Sequence, residues 1–167
     1  MIKNKITITT KDIALMGVLL AIIEIVKFAL GFIAGVELVT LLLIIYTLYF
    51  KEKMLYMLAS FLLVEGVLNG FSIWWVMYIY IWTILVLITY LFRKNDHVLF
   101  WSILSGLFGL SFGLLCCPIY IVIVGLETAV TWWISGITTD IIHCICNFIL
   151  CMILFVPLKR VLNKIRL

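Results

Sequence analysis

Positive charge alternates along this chain with long apolar stretches, and that alternation narrows the possible folds more than any other feature. Eleven of the twelve Lys and Arg residues fall into four short clusters. Lys3, Lys5 and Lys11 precede the first apolar stretch, and Lys51 and Lys53 follow the second. Arg93 and Lys94 follow the fourth, and Lys159, Arg160, Lys164 and Arg166 follow the last. The gaps after the first, third and fifth stretches carry no Lys or Arg. Loops on the cytoplasmic side of a membrane keep their basic residues. The pattern therefore predicts an all-α membrane protein, a compact bundle of six transmembrane helices with both termini cytoplasmic. Lys27 is the one basic residue outside the clusters.

Composition agrees. Of the 167 residues 66% are hydrophobic and 12% charged, and the mean hydropathy is +1.33. A soluble domain is closer to half apolar and a quarter charged. A single integral membrane domain over 1–167 is the reading. The net charge of +4 belongs on the inner face beside anionic lipid and implies no nucleic-acid partner. The apolar run from Ile13 to Ile33 is too long for a signal-peptide core and lacks a small-residue cleavage site after it, so it is expected to be retained. The five cysteines lie in apolar runs without a C-x-x-C pair and read as packing residues.

A span needs roughly 20 apolar residues. The expected spans cover 13–33, 37–50, 54–71, 75–92, 98–124 and 131–157. The second is short, so it must be tilted, extended by Gly31 to Val36, or recessed under its neighbours. Pro118 predicts a kink or break in the fifth. Ser102, Gly106, Gly109 and Gly113 in the fifth span, and Ala14, Gly17 and Ala21 in the first, have the small-residue spacing that lets helices approach closely, either inside the bundle or against a partner helix.

Ionisable groups at membrane depth tend to face the protein interior and mark function. Here they are Glu24 and Lys27 in the first span, Glu65 with Asn69 in the third, and Asp140 and His143 with Asn147 in the sixth; Glu37 opens the second. Asp140, His143 and Asn147 share one helix face by spacing, as do Glu65 and Asn69. Lys27 can pair with Glu24, three residues away, or with Glu65. At about 1.5 Å per residue, Glu65 lies roughly 18 Å from Lys53, and Asp140 roughly 14 Å from the outer start of its span. Trp75, Tyr78 and Trp82 share a face of the fourth span, and Trp133 sits near an outer boundary. These groups predict a pocket opening outward. Carboxylates beside aromatic faces suit a flat, positively charged ligand. No Walker-type run and no H-E-x-x-H is present, so neither a cofactor nor a resident metal is expected.

In these features the chain resembles the substrate-binding S components of energy-coupling factor (ECF) vitamin transporters. The likeness covers nearly the whole length. It is carried by size, six spans, inside termini, a short second span, and the segments KDIALMGVLLAI, ELVTLLLIIYTLYFKEK, GFSIWWVMYIYIWT and ITTDIIHCICNF. The resemblance implies a prokaryotic plasma-membrane subunit that is not an enzyme. It would bind a vitamin or related micronutrient from outside, then dock on a transmembrane scaffold subunit carrying two ATPases. It implies a substrate site among Glu37, Glu65, Asn69, Trp75, Tyr78, Trp133, Asp140, His143 and Asn147, to which the aromatic face of the fourth span adds Trp82; the acidic and aromatic balance leans toward a nitrogenous ring compound as ligand, with a larger corrinoid as the alternative. Family members often carry an A-x-x-x-A pair in the first span that meets the scaffold. Here Ala14 is followed by Val18, with Gly17 and Ala21 as a shifted small pair, so the docking face is expected among these four.

Two other readings compete. A stand-alone proton-coupled carrier would use Asp140, His143 and Glu65 as a relay. An intramembrane enzyme would use His143 and Asp140 with Cys144, but adjacent residues on a helix diverge by about 100°, so His143 and Cys144 point apart.

Overall fold

The structure, a computed structural model, describes residues 7–165; Lys3, Lys5 and Arg166 lie outside the described residues. Within that range the protein is all-helical, with no strand. Seven α-helices follow in order: α1 (Thr10–Leu30), α2 (Val39–Phe50), α3 (Met54–Asn69), α4 (Ile73–Leu91), α5 (Val98–Leu110), α6 (Phe112–Val124) and α7 (Leu126–Ile165). A single 3-10 turn, Lys51–Lys53, joins α2 to α3.

Four segments are long and apolar enough to cross a membrane: Thr10–Leu30, Ile73–Leu91, Val98–Val124 and Leu126–Ile165. The expectation of six spans fails on length for the other two. At 12 and 16 residues, α2 and α3 reach about 18 and 24 Å, short of a hydrocarbon core of about 30 Å. Gly31 to Val36 does not extend α2 as helix. Instead α2 is recessed: ten of its twelve residues are buried, and it packs against α1, α3, α4, α5 and α7. An element hydrophobic all round is stable only with neighbours on every side, and α2 has them.

The predicted break at Pro118 is absent. Pro118 lies inside α6, and the helix is interrupted instead at Ser111, which closes α5 and opens α6. The Ser111 hydroxyl donates to the Leu107 carbonyl at 2.8 Å. The last helix outruns its predicted bounds of 131–157. A turn at Gly125 (φ +84°) leads from α6 directly into α7, and Pro157 is accommodated within the helix.

Three polar contacts fix which helix ends are neighbours. Lys53 pairs with Asp12 at 2.7 Å, joining the start of α1 to the α2–α3 turn. The Tyr90 hydroxyl donates to Glu52 at 2.5 Å, adding the end of α4. Lys159 pairs with Asp96 at 2.7 Å, tying the α4–α5 loop to the last part of α7. Pairing holds the Glu52 and Asp96 carboxyls below their ordinary range. Both carboxylates are exposed, and such pairs contribute little stability, but they gather the described basic clusters at one end of the bundle.

The small residues of the fifth predicted span pack internally. A Cβ on Gly106 would stand 3.0 Å from the Cys144 carbonyl oxygen, and one on Gly109 would stand 3.0 Å from the His143 carbonyl and the Asn147 amide nitrogen. Their absence lets α5 lie directly on α7. α1 is different. It buries only Met16, Leu19 and Ile23, one stripe at helical spacing, while Ala14, Gly17, Val18 and Ala21 are exposed on the opposite side. Nothing approaches within 4 Å of a Cβ built on Gly17.

Candidate functional site

At the end opposite the basic clusters, two cavities adjoin. The first, of about 270 Å³, lies between the 31–38 loop, α2, α4, the α5–α6 junction and α7. It gathers Glu37, Tyr78, Trp82, His143 and Asn147 from the sequence-predicted set. The second, of about 280 Å³, lies between α1, α3 and α4 and gathers Glu65, Asn69 and Trp75, again with Tyr78. Lys27 lines both.

Lys27 forms an ion pair with Glu65, across from α1 to α3. Of the two partners left open by spacing, the distant one is taken. Its ammonium also stands 5.4 Å from the Tyr78 ring centroid, within cation–π range. Glu65 accepts a second bond from Asn69 Nδ2 at 2.9 Å. The Trp75 indole N–H is committed to the Leu62 carbonyl at 2.7 Å. Every predicted polar group of the second cavity except Tyr78 is therefore already engaged by the protein.

Glu37 is also engaged. It sits just ahead of α2, whose first backbone N–H groups have no helical partner. It accepts the Thr40 N–H at 2.9 Å and the Thr40 hydroxyl at 2.5 Å. The negative charge there is favoured by the helix dipole. Asn147 Nδ2 donates to the same carboxylate at 2.7 Å. A carboxylate only accepts, so this bond fixes the Asn147 amide with Nδ2 toward Glu37 and leaves Oδ1 as an acceptor. Three polar atoms on residues lining the first cavity have no protein partner: Trp82 Nε1, His143 Nδ1 and Asn147 Oδ1. Trp82 and Asn147 are only 4% and 3% exposed. Buried polar atoms without a partner are rare and costly.

The walls are aromatic. Trp82 meets Tyr78 edge-on at 5.6 Å between ring centroids and Phe112 at 6.0 Å, and Phe112 meets His143 edge-on at 6.2 Å. The 31–38 loop closes the cavity over α7. Gly35 holds it there, with φ +77° and a built Cβ that would strike Ile142 Cγ2 at 2.6 Å. Gly35→Ala combines a disfavoured backbone conformation with a clash. It is expected to lower stability by about 2 kcal/mol and to weaken ligand binding more than any change on the outer face of α1, as measured by thermal unfolding and calorimetry in detergent.

No protein-family model matches this chain, and no curated protein or solved structure matches it.

Two predicted residues lie elsewhere. Asp140 and Trp133 line neither cavity. They pack on Gly113 at the start of α6, where a built Cβ would stand 2.4 Å from Asp140 Oδ2 and 3.1 Å from Trp133 Cδ1. Asp140 Oδ1 accepts the Gly113 N–H at 3.3 Å, which satisfies an orphan donor of the first turn of α6. Asp140 shares a helix face with His143, but α6 covers its depth. Sequence reasoning did not find Gly109, Phe112 or Thr40 as wall residues. Phe112 and Gly109 flank the interruption at Ser111, and the signal in the sequence for that interruption was Pro118.

Proposed function

We propose that the chain is the substrate-binding S component of an ECF-type transporter. It takes a vitamin or related micronutrient into the first cavity from outside the cell and delivers it for uptake driven by the ATPases of a partner module. It does no chemistry of its own. In this reading the basic end faces the cytoplasm of a prokaryotic cell, and α2 and α3 are held within the bilayer by the four longer spans. The observation that carries the proposal is the first cavity. It combines aromatic walls, unpartnered buried polar atoms and a closing loop at the end away from the basic clusters, the features of small-molecule sites. Its volume argues for a one- or two-ring ligand and against a corrinoid, since pockets for drug-sized ligands start at roughly 300 Å³.

The exposed small-residue face of α1 suits docking on a scaffold helix. Val18→Trp is expected to leave ligand binding by the isolated chain unchanged and to cut uptake by at least about tenfold, since it blocks close helix approach. Parallel calorimetry and cell uptake check this.

The deciding experiment is uptake in cells with and without the scaffold and ATPases. Uptake that requires both supports the proposal. Uptake that persists without them and collapses with the proton gradient supports the stand-alone carrier. The geometry does not favour that carrier's relay, because Glu65 lines the second cavity, His143 the first and Asp140 neither.

A further inference from the structure

We propose that Glu37 serves as the counter-ion for a guest in the first cavity, so that the cavity selects a flat ring bearing a positive charge over its neutral or anionic counterpart. The inference rests on reading that cavity as the ligand site.

The charge balance on the cavity carries it. Glu37 lines the cavity and is part-buried. Its carboxylate accepts three hydrogen bonds, from the Thr40 N–H, the Thr40 hydroxyl and Asn147 Nδ2. All three donors are neutral, so they orient the carboxylate and leave its charge in place. Lys27 is the only Lys or Arg among the described residues of the cavity wall, and its ammonium is paired with Glu65. Glu37, Glu65 and Lys27 therefore set two carboxylates against one ammonium. Glu24, three residues before Lys27 on α1, adds a third carboxyl, with Oε1 buried and unpartnered. A charge held away from water without a counter-ion is costly, and a cation seated beside Glu37 relieves that cost.

The walls suit the same guest. Tyr78, Trp82 and Phe112 line the cavity. Tyr78 already attracts one cation, the Lys27 ammonium 5.4 Å from its ring centroid, within cation–π range. A ring with delocalised positive charge has the flat shape for aromatic walls and the charge for Glu37. The second cavity lacks this surplus, because its one lining carboxylate, Glu65, is paired with Lys27.

The test is calorimetric titration of the full chain in lipid nanodiscs, with empty nanodiscs as the blank. It is run at pH 8, above the ordinary range for imidazole titration, so that His143 does not add a charge. N-methylquinolinium and 1-methylnaphthalene have one shape and differ by a single positive charge, and neither carries a hydrogen-bond donor. 1-Naphthoate reverses the charge. N-methylquinolinium is expected to bind at least about tenfold more tightly than 1-methylnaphthalene, and 1-naphthoate most weakly of the three. Glu37→Gln is expected to bring the ratio of the first two close to one. Lys27→Met takes the ammonium off the wall and is expected to raise that ratio by at least about threefold. The parent and Lys27→Met ratios decide the matter where Glu37→Gln does not fold. A parent ratio near one, a ratio unchanged by Glu37→Gln or lowered by Lys27→Met, or no detectable N-methylquinolinium binding would overturn the inference. ATPase-dependent uptake without the charge selectivity sinks this inference and leaves the transporter reading standing. The selectivity without ATPase dependence does the reverse.

Discussion

Lys27→Met is expected to lower the stability of the folded chain by about 2–3 kcal/mol. The substitution keeps an unbranched side chain of similar length, so the loss is mainly electrostatic. It leaves Glu65, whose side chain is 4% exposed, as a buried carboxylate without its counter-ion. Removing one partner of a buried pair typically costs about 3–5 kcal/mol; the Lys27 side chain is 29% exposed, which places the expectation below that range. The double variant Lys27→Met with Glu65→Gln should recover most of the loss, because no unpaired charge remains. Thermal unfolding of the three variants in one detergent gives the coupling directly. Losses that simply add would show that the pair contributes nothing.

The second large effect is at Asn147. Asn147→Leu fills nearly the same volume but removes the donor that holds Glu37 and the polar character of one wall of the first cavity. Loss of a buried hydrogen bond to a charged group corresponds to about 1.5–3 kcal/mol of stability. Ligand affinity is expected to fall by about a hundredfold, since a polar wall residue and the clamp on the closing loop are lost together. A neighbouring substitution that spares the cavity provides the contrast. Cys146→Ala, one residue away on another face of α7, is expected to leave affinity within about twofold. Equal losses for both would assign the effect to helix stability and not to the cavity.

The helical character and the placement of the basic clusters were legible because hydropathy and charge act through solvation, which needs no tertiary partner. The same clusters at Lys53, Arg93 and Lys159 now mark one end of the bundle. Span lengths were less legible. α2 and α3 are too short to cross on their own, and what keeps α2 in place is burial by five neighbours, which no local pattern records. Pro118 pointed to a break that occurs seven residues earlier, at Ser111, where Gly109 and Gly113 on either side lie against His143, Asn147 and Asp140 of α7. Helical spacing put Asp140, His143 and Asn147 on one face, yet α6 covers Asp140, so shared phase did not become a shared cavity. The carboxylates were legible as buried charge but not as occupied charge. Glu37 and Glu65 are claimed by Thr40, Asn147 and Lys27, and the unpartnered polar atoms on residues that line the first cavity are Trp82 Nε1, His143 Nδ1 and Asn147 Oδ1.

Native mass spectrometry of the chain, released from detergent without prior ligand addition, tests the account most directly. The account predicts one small molecule of micronutrient size bound with one-to-one stoichiometry, retained by Val18→Trp and lost from Asn147→Leu. A chain that carries no small molecule, and that gains none from a panel of vitamins and their precursors, would contradict it.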